Sequence, residues 1–237
     1  MKAGNQTIMV GLRQQIAAFA AARSAIAAIE FAMIFPVLLV FMLGGGEAAR
    51  YVNASRQLTN LAYSEASLVA ERPSTVAGAT MTANDVVFVQ QATPVIFPEI
   101  LKDAARQGTT WSADQHFLFT ISSVIFTPTV TGCTSGCTYK GAVAWSLYQG
   151  GLSTATVASK LRSCSVAPVS APDSQQPSLT TLPTDVFTSG SLIVVDLAYT
   201  YTPVFGSTFF HSVTLRRSAY LQPRYLSKVN YSGTLQC

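Results

Sequence analysis

The first hydrophobic segment of the chain is long and almost free of polar side chains. Residues 26–46 are apolar or small, apart from a single charged residue, Glu30. At 1.5 Å per residue, a helix of this length spans about 30 Å, which is the thickness of the hydrocarbon core of a bilayer. The pattern therefore predicts one membrane-spanning helix near the N-terminus.

Beyond this span the apolar positions keep a helical period. Residues 47–71 contain neither Pro nor Gly, and the apolar side chains recur three or four residues apart. The predicted apolar face consists of Tyr51, Ala54, Leu58, Leu61, Ala62 and Leu68. Pro73 predicts the end of the helix. We expect the span to continue as a stalk helix over residues 47–72.

The rest of the chain, residues 73–237, changes from a helical period to a period of two. Residues 82–106 predict one or two short helices, and alternation further on predicts four strands, at 116–127, 142–148, 192–202 and 212–221. Residues 163–191 are rich in Ser, Thr and Pro and predict an exposed loop. The expected fold is α+β, with a long transmembrane-plus-stalk helix packed on a small antiparallel sheet that forms a head.

The distribution of charge predicts the orientation of the span. The net charge is +4, yet residues 1–25 carry three basic residues and no acid, so most of the excess precedes the span. A basic flank favours a cytoplasmic N-terminus and an exported head. A cleaved secretory signal is the alternative, but its apolar core is usually about 7–15 residues long and ends at a small-residue cleavage site.

Composition excludes two further classes. Charged residues make up 11% of the chain and hydrophobic residues 49%, the reverse of a disordered protein. The basic residues are scattered and form no stripe, so nucleic acid is not an expected partner, whereas membrane lipid is.

Glu30 is the residue of the span that most needs an explanation. A carboxylate inside a bilayer costs about 2.5–3.5 kcal/mol on insertion scales, and such residues are usually retained for a partner. The alternative is that Glu30, five residues into the span, is hydrated at the cytoplasmic face. Pro36 follows it, removes one backbone hydrogen bond and predicts a kink or local unwinding.

The segment from Arg23 to Pro36 resembles the N-terminal signature of TadE/TadG-like proteins, the pseudopilin-like subunits of the tight-adherence (Flp) pilus system. The features shared with the family are Arg23, Glu30, Phe31 and Pro36, followed by Glu47 and Arg50 at the membrane exit. The strands around 194–203 and 213–224 are similar to the C-terminal hairpin of the family. The chain length is closer to that of TadE-like members. The resemblance implies a pilin-like fold in the bacterial inner membrane, with the head in the periplasm or outside the cell.

The resemblance also implies a processing step and a role for Glu30. In the family a prepilin peptidase cuts five residues before the Glu, which here falls between Ala25 and Ile26, although the family usually has Gly at the position of Ala25. After cleavage, the Glu30 carboxylate is expected to pair with the freed amino group of Ile26 on a neighbouring subunit. The implied partners are this peptidase and other pilus-assembly subunits.

The cysteines all lie on the predicted exported side. An even number of cysteines in an oxidising compartment predicts disulfides, with three possible connectivities. We expect Cys133 to pair with Cys137 at a hairpin tip and Cys164 to pair with Cys237. A zinc site made of four thiolates is the alternative, but the spacing lacks C-x-x-C pairs.

No catalytic, cofactor-binding or metal-binding set can be assembled from the sequence. The two histidines, His116 and His211, each begin a predicted strand, and no motif brings Asp185 or Asp196 to them. The sequence also lacks a phosphate-binding Gly loop and an H-E-x-x-H motif.

The leading hypothesis is therefore a membrane-anchored minor pseudopilin-like subunit, not an enzyme, that serves adhesion or biofilm formation. The main alternative is a single-pass periplasmic binding or scaffold protein that never enters a filament. A third possibility, an anchored hydrolase, needs an acid–base cluster that the sequence does not show.

Overall fold

The computed structural model describes residues 23–72, 80–150, 160–205 and 211–234, with side chains from residue 26. The helices are α1 (Arg23–Ala70), α2 (Ala83–Gln91), α3 (Thr93–Ile96) and α4 (Glu99–Gln107), with 3₁₀ turns at Trp111–Ala113 and Thr184–Val186. The strands are β1 (Thr80–Met81), β2 (Phe117–Pro128), β3 (Tyr139–Gly150), β4 (Val169–Ala171), β5 (Thr181–Pro183), β6 (Gly190–Tyr201), β7 (Val213–Leu221) and β8 (Asn230–Tyr231).

The chain divides into two compact units, which are described separately. The anchor unit is Met1–Arg50 with Val204–Gly206, and the head unit is Tyr51–Pro203 with Ser207–Cys237. Helix α1 contributes its first part to the anchor unit and its second part to the head unit. Residues 1–22, most of the predicted basic leader, lie outside the described residues.

The anchor part of α1 is long and apolar enough to cross a membrane. Almost all side chains from residue 26 to residue 46 are exposed, including large ones such as Phe41 and Met42. Apolar side chains exposed around a whole helix are typical of a segment solvated by lipid or by other helices. Pro36 lies within the helix, which continues beyond it, so the local unwinding that the sequence predicts is not observed.

The head unit contains the expected antiparallel sheet, in the order β3-β2-β6-β7. All four strands that the sequence predicts are present, and the α+β prediction is confirmed. One face of the sheet packs on the second part of α1 and on the short helices. Arg217 of β7 reinforces this packing, since its guanidinium donates hydrogen bonds to Ser55 Oγ (2.6 Å) and Thr59 Oγ1 (3.1 Å) of α1.

The buried stripe of α1 differs in part from the predicted face. Ala54, Leu58, Leu61 and Ala62 are buried as expected, but Tyr51 is 36% exposed and Leu68 is 43% exposed. The helical stripe continues instead through Ala66, Val69 and Ala70, and it also includes Glu65. Leu68 therefore lies at the edge of the buried stripe of α1 rather than at its centre.

The second face of the sheet is covered by the segment that the sequence predicts as an exposed loop. Residues 160–187 contain β4 and β5, which pair in parallel, and Leu182 of β5 is fully buried. It packs with Val124, Phe126, Val143, Leu192 and Val194 in a second apolar cluster. Because both faces are covered, β2 and β6 are buried along nearly their whole length instead of alternating.

Candidate functional site

The signature residues of the span lie on the exposed surface of α1. Glu30, Phe31 and Pro36 all face outward, and the rings of Phe31 and Phe35 lie 5.4 Å apart, one turn from each other. Glu30 forms no hydrogen bond or ion pair within the described chain. Since a carboxylate at membrane depth needs a partner, this side chain is the strongest candidate for contact with another molecule.

The proposed processing junction lies at the start of the same helix. Ala25 and Ile26 fall within the first turn of α1, one turn before Glu30. Ile26 is 54% exposed. The side chain of Ala25 lies outside the described ones.

Glu47, at the predicted membrane exit, is in the opposite situation to Glu30. Its side chain is buried, and its carboxylate accepts hydrogen bonds from the backbone N–H groups of Val204 (3.3 Å) and Phe205 (3.4 Å). Arg50 Nη1 lies 3.5 Å from Glu47 Oε2, three residues along the same helix. A buried carboxylate is tolerated where donors and a cation surround it. Glu47 therefore holds the chain that follows β6, a contact that helical spacing alone does not reveal.

A buried ion pair in the head was not predicted from the sequence. Arg162 Nε and Nη2 donate to the two oxygens of Asp196, at 2.7 and 2.9 Å, and Arg162 also donates to the carbonyl oxygens of Ser178 and Thr181. Ser218 Oγ donates to the same carboxylate. The fork of the guanidinium matches a carboxylate in this bidentate way. The pair fixes residues 160–181 to the sheet, and it leaves Asp196 fully engaged rather than available as a base.

Glu65 is a buried titratable side chain that the helical pattern does not reveal. It lies in the core-facing stripe of α1, Thr93 Oγ1 donates to its Oε1 at 3.2 Å, and its Oε2 has no hydrogen-bond partner within the described residues. Burial raises the pKa of this carboxyl from 4.5 to about 8, because the charged form loses its hydration. The carboxyl is therefore largely protonated at neutral pH.

A disulfide closes the tip of the hairpin formed by β2 and β3. Cys133 and Cys137 form a disulfide between β2 and β3, with their Cα atoms 5.8 Å apart. These two sulfurs are therefore not available for a four-thiolate zinc site. The predicted partner of Cys164, Cys237, lies outside the described residues.

The histidines do not form a triad with the acids considered from the sequence. His211 is exposed just before β7, whereas His116 precedes β2 and contacts Asp103. Asp185, in a 3₁₀ turn, and Asp196, bound to Arg162, lie elsewhere in the fold. No acid–base–nucleophile set was found among the described side chains.

Comparison with known protein families identifies the N-terminal part of the chain. Residues 25–66 match the family model described as TadE-like protein. The match contains Glu30, Phe31, Pro36, Glu47 and Arg50, and it confirms the resemblance inferred from these residues. It does not reach β6 and β7, so the similarity of that hairpin to the family stays a prediction. Comparisons with curated proteins and with solved structures gave no match.

Proposed function

Since residues 25–66 are TadE-like, we propose that the protein is a membrane-anchored, minor pseudopilin-like subunit that takes part in the assembly of a tight-adherence pilus. The observation that carries this proposal is that the first half of the matched segment, residues 26–46, is an apolar helix whose side chains are almost all exposed. A surface of this kind needs lipid or the helices of other subunits around it. The proposed role is structural rather than catalytic, in adhesion or biofilm formation.

The proposed topology has a cytoplasmic N-terminus in the bacterial inner membrane and a head in the periplasm or outside the cell. The basic residues before the span support this orientation. The Cys133–Cys137 disulfide supports it independently, because disulfides persist in oxidising compartments. A protease added to intact spheroplasts should remove the head and leave the leader protected; the reverse pattern contradicts the topology.

Glu30 is proposed to be the residue that sets the register between subunits. Its carboxylate lies one helical turn from Ile26 on an exposed surface of the helix, so a cation on a second helix can reach it. An amino group freed at Ile26 of a neighbour supplies that cation. In a medium of low dielectric constant, two such charges attract strongly.

Processing between Ala25 and Ile26 is the chemical step that this pairing requires. The intact mass of the membrane-extracted protein decides whether it occurs. We expect the mass of a chain that begins at Ile26, and retention of residues 1–25 contradicts the pairing with a freed amino group.

Deletion of the gene tests the function itself. We expect loss or shortening of surface pili and of surface attachment, with both restored by the wild-type gene in trans. Normal pili in the deletion strain contradict the proposed function, whatever the state of the leader.

A second candidate function is an anchored scaffold or binding protein that stays in the membrane. Ala25 favours it, because the resemblance implies cleavage after Gly, whereas this chain has Ala at that position. Shearing pili from cells separates the two candidates: a pilus subunit is found in the sheared fraction, whereas a scaffold is found only in the membrane fraction.

A further inference from the structure

Two carboxylates and an imidazole meet where α4 approaches the start of β2. Asp103 is on the last turns of α4, Asp114 follows a 3₁₀ turn, and His116 precedes the first residue of β2. One ligand atom from each of the three side chains lies within 4.8 Å of the other two. Asp103 and Asp114 are almost completely buried, and His116 is partly exposed.

Most polar atoms of this cluster have partners within it. His116 Nδ1 lies 2.8 Å from Asp103 Oδ2, and Arg106 Nη2 donates to Asp103 Oδ1 at 3.1 Å. Asp114 Oδ1 accepts from the backbone N–H of His116 and from Gln107 Nε2, both at 2.7 Å. These bonds hold the side chains in place before any ligand enters.

One atom is left without a partner. Asp114 Oδ2 is buried and accepts no hydrogen bond from the described residues. A fully buried carboxylate oxygen without a donor is unfavourable, and most such atoms in proteins are satisfied by a donor, a water or an ion. The nearby carboxylate of Asp103 adds negative charge, and Arg106 contacts it from the same helix.

We propose that Asp103, Asp114 and His116 form a binding site for a divalent transition-metal ion of the Zn²⁺ type, which fastens α4 to the start of β2. An imidazole nitrogen with two carboxylates is a ligand set for Zn²⁺ rather than for Ca²⁺ or Mg²⁺, which take oxygen ligands. Three protein ligands leave one position of a tetrahedral ion to water.

The distances are compatible with such an ion after small side-chain movements. Zn²⁺ bonds of about 2.0–2.2 Å place tetrahedral ligand atoms about 3.4 Å apart. The largest ligand-atom separation of up to 4.8 Å therefore has to close by about 1.4 Å. His116 and Asp103 have to separate slightly, because the ion replaces the hydrogen bond between them. The site is independent of the proposed role in the pilus.

The test uses the full chain in detergent, without a histidine tag, treated with chelator and then titrated with ZnCl₂ alone. We expect one Zn²⁺ per chain by calorimetry and a higher melting temperature with the metal. Asp114→Asn and His116→Gln should each weaken binding at least tenfold. His211→Gln, which removes the exposed histidine outside the cluster, should bind Zn²⁺ as the wild type does.

Cobalt provides a readout that does not depend on stability. Co²⁺ in place of Zn²⁺ should give the visible absorption of a tetrahedral site, which His116→Gln should abolish. No saturable Zn²⁺ binding, equal binding by the Asp114 and His116 variants, or equally tight binding of Ca²⁺ would overturn the proposal. In the first case the cluster is a hydrogen-bonded contact between His116 and Asp103 and nothing more.

Discussion

At the scale of single residues, two glutamates on the same helix have opposite surroundings. Glu30 is exposed on a surface that has to be covered by lipid or protein, whereas Glu47 is buried and bound to backbone amides of residues 204 and 205. Sequence spacing identifies Glu30 in the intramembrane signature and Glu47 in the membrane-exit pair, but it does not show which of the two is buried. Only the structure separates a side chain that acts within the subunit from one that is open to a neighbour.

Loss of the Glu47 carboxylate should destabilise the protein. Glu47→Ala leaves two amides and Arg50 without this partner, so we expect a loss of about 1–3 kcal/mol in unfolding free energy. Thermal unfolding in detergent measures it as a drop of about 2–4 °C per kcal/mol. The matched control is Glu71→Ala, which breaks an exposed ion pair with Arg224 and should cost less than about 1 kcal/mol. Equal shifts for the two variants contradict the assignment.

Glu65 should make the head less stable as pH rises. The pKa of its carboxyl is about 8 in the folded chain, against 4.5 ordinarily, so between these values the folded state holds a proton that the unfolded state has released. The unfolding free energy should then fall by up to about 1.4 kcal/mol per pH unit over this window and level off above it.

Glu65→Gln isolates this contribution from other groups. Asp114, whose pKa burial also raises, contributes a slope of the same sign in both proteins. Denaturant unfolding at several pH values should therefore show a shallower pH dependence in Glu65→Gln than in the wild type. Parallel curves would mean that Glu65 is ionised in the folded state.

At the scale of elements, the sequence predicts well which helices and strands are present. It predicts less well which side chains of each element point into the core. The four main strands and α1 are present close to the predicted bounds, because their apolar residues recur with unambiguous periods. In β3, however, Val143, Trp145 and Leu147 alternate as though they shared one face. A bulge opposite Ser123 and Val124 places Val143 in the second apolar cluster and the other two in the main core. No local pattern marks this bulge.

The partners of the buried titratable side chains also cannot be predicted from the local sequence. Arg162 and Asp196 are 34 residues apart, and Glu65 and Thr93 are 28 apart. Their pairing depends on the packing of residues 160–187 and of α3 against the rest of the head, which is a tertiary property. For the same reason the segment 163–191 was predicted as an exposed loop from its composition, although it covers one face of the sheet.

Two leucines of α1 test the observed stripe against the predicted one. The sequence places Leu58 and Leu68 on the same face, but Leu58 is fully buried and Leu68 is 43% exposed. Leu58→Ala should therefore lower the unfolding free energy by about 2–5 kcal/mol, and Leu68→Ala by much less. Urea unfolding of the two variants side by side gives the comparison, and similar losses would contradict the stripe that the structure shows.

At the scale of the whole molecule, the two units have different requirements. The head has an apolar core, a disulfide at a hairpin tip and the buried ion pair of Arg162 and Asp196, which are the features of a self-contained domain. Among the residues described in the anchor, the apolar side chains of 26–46 lie on its surface and none of them is buried. The TadE-like match includes residues of both units, because it runs along α1 from its first turn into its buried stripe. The proposed function assigns assembly to the anchor and leaves the head exported.

Piliation of cells that carry Glu30→Ala is the measurement that tests the central claim most directly. The variant replaces the gene in a deletion strain, and surface pili are counted by electron microscopy at equal amounts of membrane-inserted protein. Insertion should be unimpaired, because the substitution removes a charge that costs about 2.5–3.5 kcal/mol on insertion scales. Glu30→Gln separates loss of charge from loss of size. We predict few or no pili in both variants; wild-type numbers of pili would contradict a role for Glu30 in assembly.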